Sequence, residues 1–397
     1  MTLIAIHLLQ NHAPSNLNRD DNGDPKDAMF GGARRARISS QALKRSVRTS
    51  PQFQAAFADT SLLGKRTQLL PEQVREQLAD YSVSEQERDA ILFHARRFGK
   101  GDRGQTSTEE GVEEGKGRGK ATRGKATSAT AAPERLKTAQ LMYLSTREVQ
   151  QLTRQMVELC RTHGPEAFQA LETEKAIAEP IRKSLEPHAV DIAMFGRMTT
   201  SSPFKDIEAA VQVAHAISTH KVDQEFDYFT AVDDLSGETG AGMIGDVAFN
   251  SATYYKYINV HWEGLLSNLA QDRDIAERAV LALLESAMTA IPSGKQNTFA
   301  AHNLPDFVLV EVLAKNIPVS YANAFLKAIR PTDEQSLMDR SIAALVSYAA
   351  PIPARFDLPM QRAIFPSSST PEFGAVAHTL PELKSWLQAH LSKVGTV

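Results

Sequence analysis

The chain has little cysteine, little tryptophan and no long apolar run. Cys160 is the single cysteine among 397 residues. That excludes an intramolecular disulfide and any cysteine-based zinc cluster, and it suits a reducing cytoplasm. No stretch approaches the roughly 20 apolar residues that cross a bilayer. The opening MTLIAIHLLQNHAPS is apolar but has no basic leader and no small-residue cleavage site, so no signal peptide is expected. The expectation is a cytoplasmic protein with no membrane partner. Catalytic signatures are missing too: there is no HExxH, no His-x-x-x-His and no Gly-x-Ser-x-Gly. Basic residues do not exceed acidic ones, and the net charge is −3. A local stripe can nevertheless bind phosphate whatever the net charge.

Such a stripe is present. FGGARRARISSQALKRSVR, from Phe30 to Arg48, holds Arg34, Arg35, Arg37, Lys44, Arg45 and Arg48 and no acid. Ser39 or Ser40 reads as a helix N-cap, followed by Gln41, and Lys44 and Arg48 fall one turn apart on the same face. A helix N-terminus offers N–H groups and a partial positive charge, and arginine's planar fork matches phosphate oxygens. The competing reading is a solvated basic face.

The remaining patterns give an α+β chain. Leu3–Leu9 reads as a buried strand, and a turn-rich polar loop follows it. Helical spacing runs over about 71–98, 138–161 and 165–187. Residues 100–137 are rich in Gly, Lys and Thr and poor in large apolar groups, so they read as a flexible insertion. Residues 50–190 are therefore expected to form a helical subdomain with a loose loop. The stretch 206–220 reads as an amphipathic helix, 227–234 and 251–262 as strands, 272–291 as a helix and 306–313 as a strand. The order β, α, β, β, α, β is the split βαβ plan of ferredoxin-like and RNA-recognition folds.

Other candidates are weaker. Gly119, Gly124 and Lys125 nearly match a phosphate loop, but Ala126 replaces its hydroxyl and no strand precedes it. Asp20, Asp21, Asp24 and Asp27 could hold a metal, although loop carboxylates beside arginines more often cap turns or pair with them. His215 and His220 are poorly spaced for a helical metal site, and His215 reads as a core histidine. GRMTTSS (196–202) and PSGKQNTFAAHN (292–303) are polar loops that could cradle a backbone. In the glycine-rich arm 235–250, Met243 and Ile244 sit near the tip, either as a wedge or folded back on their own domain.

The segment HAPSNLNRDDNGDPKDAMFGGARRARISSQALKRSVR closely resembles the N-terminal signature of the CasC family, the backbone subunits of the type I-E CRISPR surveillance complex Cascade. VDIAMFGRMTTSS, VAHAISTHKVDQEFDYFTAVDDL, YYKYINV and PSGKQNTFAAHN are similar too, in the family's order. The resemblance weakens over 50–190 and beyond about 330, and the 100–137 segment departs from the pattern. It implies a right-hand shape: an RRM-like palm from 1–49 and 191–330, helical fingers from 50–190, a hairpin-like thumb at 235–250, and a helical 331–397 completing the palm. It implies several copies stacked head to tail along a CRISPR RNA, with other Cascade subunits at hand, supporting guide pairing with double-stranded target DNA. It implies no nuclease activity, no cofactor and no metal. The residues expected at the RNA are Asn18, Arg19, Lys26, Arg34, Arg35, Arg37, Ser39, Ser40, Gln41, Lys44, Arg45, Arg48, Arg197, Met198, Lys295, Gln296 and Thr298, with Met243 and Ile244 as the thumb wedge.

Two rival readings stand beside it. A metal-dependent ribonuclease of a related CRISPR effector would use Asp20, Asp21 or Asp27. A free-standing single-strand RNA-binding protein would need open stacking aromatics, for which Tyr255 and Tyr257 are the tempting pair.

Overall fold

The computed structural model describes residues 1–58, 61–98, 136–185, 189–199, 203–232, 241–366 and 373–394. Most of the 100–137 segment, with its near-match to a phosphate loop, lies outside the described residues. So do residues 235–240 of the 235–250 arm. No described helix is long and apolar enough to cross a membrane. The chain divides into two compact units, Met1–Leu63 with His188–Gly196 and Ile207–Val397, and Gly64–Pro187 with Arg197–Asp206. Residues 50–63, expected with the helical subdomain, thus belong to the first unit, and 197–206 belong to the second.

Among the described residues the first unit is built on ten strands. Its main strands are β1 (Leu3–Ser15), β2 (Asp27–Phe30), β3 (Ala33–Ile38), β4 (Val211–Val213), β5 (Ala216–Ser218), β6 (Glu225–Val232), β7 (Ala241–His261), β8 (Phe307–Leu313) and β9 (Met360–Pro366). β1 lies between β7 and β8, antiparallel to both. β4 and β5 pair with the far side of β7, and β9 extends the sheet beyond β8. Helix α1 (Ser40–Arg48) stands between β1 and β4 in the chain, and α2 (Arg273–Thr289) between β7 and β8. This is the split βαβ plan with extra strands at both edges, and the α+β expectation holds.

Two elements differ from the pattern reading. Residues 206–220 form β4 and β5, not a helix. Val211, Val213, Ala216 and Ser218 are buried while Gln212 is exposed, a two-residue alternation that a helical count of Ile207, Val211, Ala214 and Ile217 also fits. They supply the palm strand that 227–234 was expected to supply. That segment instead becomes β6, paired only with the first half of β7 as a projecting arm. The 331–397 segment is not purely helical either: besides α3 (Leu337–Ala349) and α4 (Leu380–Leu391) it contributes β9.

Both faces of the sheet are covered. Ile4, Ile6 and Leu8 pack with Leu43 and Val47 of α1, with α2 and with Leu383, Leu387 and Leu391 of α4. Leu3, Ala5 and Leu9 pack with Tyr255, Tyr257, Tyr321, Phe325 and the apolar side of α3. On that second face Glu311 accepts hydrogen bonds from Tyr321 Oη at 2.8 Å and Arg362 Nε at 2.6 Å. His7 stacks on Tyr321 with ring centres 4.4 Å apart. Burial would raise the Glu311 carboxyl, but His7 and Arg362 outweigh it and hold the group below its ordinary range. The second unit has its own core. Helices Leu70–Gln77, Glu85–Arg97 and Thr146–His163 enclose Val74, Ile91, Leu152 and Met156 beside a two-stranded ladder of Gly64–Thr67 with Met142–Ser145. That last strand occupies part of the expected helix 138–161.

A second polar tie in the first unit is Arg35, which is fully buried. Its guanidinium donates to the carbonyls of Ser218 at 3.0 Å, Phe325 at 2.8 Å and, at 3.3 Å each, Phe30 and Leu326. Removing it strands several buried acceptors, each costing about 1–3 kcal/mol. Arg35→Ala is therefore expected to lower the free energy of unfolding by about 3–5 kcal/mol in urea titration. Arg34→Ala, whose exposed side chain pairs with Asp27, is expected to stay within about 1 kcal/mol. Equal losses for the two variants would contradict this division.

Candidate nucleic-acid interface

The basic stripe folds as a hairpin followed by a helix. Gly31 and Gly32 have φ of +57° and +75° and form the two-residue turn between β2 and β3, where glycine avoids a steric penalty. Gly31 also lies against a neighbouring loop, since a Cβ there would sit 1.7 Å from the Leu326 carbonyl oxygen. Arg34, Arg35 and Arg37 thus lie on a strand that leads to the helix. Arg34 pairs with Asp27 at 3.0 Å. Arg37 donates to the Asp27 carbonyl at 3.0 Å and meets His215 Nδ1 at 3.1 Å. His215 is exposed on the bend between β4 and β5, not a core residue. Partial burial, then Arg37 and Lys26, hold it below its ordinary value, so the neutral ring can accept from Arg37.

Ser39 is the N-cap of α1. Its hydroxyl accepts from Ala42 N–H, and its own N–H donates to Asn18 Oδ1 at 2.8 Å. The Asn18 carbonyl accepts from Lys26 N–H, and the Lys26 carbonyl accepts from Arg37 N–H. Asn18 and Lys26 therefore pin the polar loop to the stripe. Leu43 and Val47 face the core, which leaves Gln41 and Arg45 exposed and Ser40, Lys44 and Arg48 half-buried. Arg48 sits 4.0 Å from buried Asp191.

The loop 292–303 closes the arrangement. A Cβ at Gly294 would lie 2.4 Å from the Leu17 carbonyl oxygen, so only glycine permits this approach. Lys295 and Ala300, at φ +50° and +48°, flank a single helical turn, Gln296–Phe299. Two open grooves result, sharing Leu17 and Gly294. One of about 450 Å³ is lined by Arg45, Thr49, Ser293 and His302. The other, about 520 Å³, is lined by Asn18, Arg19 and the Asp20–Gly23 turn. Lys295 and Gln296 are half-buried and Thr298 is exposed on the same loop. Beneath it the buried Lys256 ammonium bonds Gln10, whose amide donates to the Asn303 carbonyl. Burial lowers Lys256 to about 8. Burial, then the Lys256 charge, lowers buried His12 to about 3. Sequence reading singled out neither His302 nor Lys256 and took His215 for a core histidine, because only the fold brings His215 to Arg37 and Lys256 under the 292–303 loop.

Two expected ligands, Arg35 and Arg197, are buried. Arg35 is committed inside the fold, so it holds the hairpin rather than reaching out to phosphate. Arg197, in the second unit, is buried and pairs with Glu148 at 2.8 Å while donating to the Tyr143 and Lys205 carbonyls. It too is structural. Met198 beside it is 87% exposed. Asp20 caps its own turn, accepting from Asn22 and Asp24 N–H groups, and Asp27 is the partner of Arg34. Among the described residues no three His, Cys, Asp or Glu side chains are placed to hold a metal. Tyr255 and Tyr257 are buried in the core and form no open stacking platform.

The arm leaves the sheet beside the grooves. Asn16 donates to the Ala248 carbonyl, and Phe249 packs on Phe299. Met243 and Ile244 are 59% and 61% exposed. As consecutive strand residues they point to opposite faces, so they cannot act as one paired wedge. Met243 lies opposite Ala231 and Ile244 opposite Thr230.

Comparison with known proteins places this fold. No curated protein matches the chain. It is similar to a chain of a CRISPR RNA-guided surveillance complex in a pre-nicking state, at 28% identity and a TM-score of 0.77. That match covers 98% of this chain and 100% of the other. A chain of another CRISPR RNA-guided surveillance complex, at 22% identity and a TM-score of 0.68, shares the fold over 98% and 99% of the two chains. The CT1975-like protein family model matches residues 4–389, and this chain belongs to that family.

Proposed function

We propose that the chain is a CRISPR RNA-binding backbone subunit of a type I-E Cascade complex. Copies of it stack along the guide, hold it in pre-ordered segments and support its pairing with double-stranded DNA, alongside the other Cascade subunits in the cytoplasm. The observation that carries this reading is the convergence of α1, the 16–23 loop and the 292–303 loop on two adjoining grooves, in a chain alike over its whole length to a surveillance-complex subunit. The grooves offer arginine, hydroxyl and amide groups to a sugar–phosphate backbone. That suits a guide whose sequence changes with every spacer. The subunit holds nucleic acid and cuts none: of the three carboxylates named in the rival ribonuclease reading, Asp20, Asp21 and Asp27, the first is taken up by a turn and the last by an ion pair.

Replacing Lys44 and Arg45 by Glu is expected to weaken binding of unrelated guide RNAs alike. The plot of log affinity against log salt should become shallower by about 0.7 for each lost single-strand phosphate contact. The RNA should stay intact with magnesium present. Unchanged affinity at low salt would overturn the groove assignment, and magnesium-dependent cleavage would overturn the non-catalytic reading.

The opposite facing of Met243 and Ile244 divides the thumb. Unstacking a base costs a few kcal/mol and needs an apolar group at the step. Met243 is assigned that role. Chemical probing of the bound guide should reveal exposed bases at a fixed period, which Met243→Ser blurs and Ile244→Ser preserves. Equal blurring by both substitutions would contradict the division.

A further inference from the structure

The 292–303 loop is held in a strained shape. Lys295 and Ala300 both lie in the left-handed region, at φ +50° and +48°. Residues with a Cβ stay there only where their surroundings enforce it, and such residues gather at ligand clamps. Between them Gln296–Phe299 makes a single helical turn, which does not sustain itself in water. The loop is therefore fixed from its ends. At one end Gly294 is pressed on the Leu17 carbonyl. At the other, Asn303 is tied to β1 twice. Its Oδ1 accepts from Ala13 N–H at 3.1 Å, and its carbonyl accepts from Gln10 Nε2 at 2.5 Å.

The second of these ties depends on a buried charge. Gln10 and Lys256 are both buried, and Lys256 Nζ donates to Gln10 Oε1. An ammonium has donors only, so it keeps the Gln10 oxygen on its own side and turns the amide NH2 toward the loop. Without the cation the amide is free to flip, which sets its oxygen against the Asn303 carbonyl, acceptor against acceptor. Among the described residues no carboxylate pairs with Lys256, and burial alone lowers its proton affinity. His12 beside it is held neutral. A lone buried ammonium is unfavourable for the fold by itself, and its one bonded partner is the amide that holds the loop.

We propose that Lys256 and Gln10 are positioning residues for the guide: the ammonium orients the Gln10 amide, and the amide holds the 292–303 loop in its strained form. Lys295, Gln296 and Thr298 then meet the RNA already ordered, which spares the cost of ordering them on binding. This rests on the reading that the grooves hold a guide RNA.

The test pairs hydrogen exchange with guide affinity in the full chain. Thr298, Phe299 and Ala300 N–H groups are bonded within the loop and report its order. Gln10→Met keeps the cation and removes the tie. Gln10→Glu gives the cation a counter-ion but offers Asn303 no donor. Both are expected to speed exchange of the three loop amides by roughly tenfold, with Leu3–Leu9 as protected as in wild type. Both are expected to weaken binding of a CRISPR RNA by roughly fivefold. Lys256→Met, which removes the cation, should release the loop as Gln10→Met does, and Lys256→Arg, which keeps a donor-only cation, should hold it. Unchanged loop exchange, equal loss of protection in loop and sheet, a released loop with unchanged affinity, weakening by Gln10→Glu alone, or equal release by Lys256→Arg and Lys256→Met would each overturn the positioning role and leave the guide-binding reading intact. Failure of the wild-type chain to bind the RNA would instead overturn the guide-binding reading.

Discussion

A buried guanidinium holds the candidate interface in shape. Arg35 reaches carbonyls on β2, on β5 and in the loop at 325–326, and in doing so fixes the β2–β3 hairpin. A cation without water is tolerated only when its donors are met, so the three segments must stay together for the charge to stay buried. Gly31, pressed on Leu326, adds a steric lock to the same joint. With the hairpin fixed, Arg34 and Arg37 stand at the surface, and Ser39 is delivered to cap α1.

The net charge of −3 hides a segregation. Positive groups gather on β3, α1 and the loops around Gly294, and negative groups gather on the arm. A uniform positive surface would hold nucleic acid anywhere. Segregated charge confines the attraction for phosphate to one track. The buried Lys256, tied through Gln10 to Asn303, adds positive potential from below the groove without exposing a competing ligand.

Local chemistry was legible in the sequence, and long-range chemistry was not. The helix start at Ser39 or Ser40 is legible from its capping residues, and the buried strand at Leu3–Leu9 from its apolar run. That strand runs on to Ser15 because Gln10 and His12 keep pairing with β7, although Asn11 to Pro14 look like a turn. The segment 206–220 satisfies both a helical and an alternating count, and β7 decides between them by supplying a partner. The hairpin at Gly31 and Gly32 is completed by a partner, β5, that lies about 180 residues further along the chain. The structural role of Arg35 could not be read at all, since its acceptors lie 183 and 290 residues away. Arg197 is a similar case, ending against Glu148 rather than solvent.

The central claim is that this chain coats a guide in several copies. The most direct measurement is the mass of the particle it forms when produced with a CRISPR array, with the bound nucleic acid extracted and sequenced. The account predicts a mass equal to several copies on one RNA, and reads that carry repeat and spacer sequence. A single copy, or RNA of unrelated sequence, would contradict it.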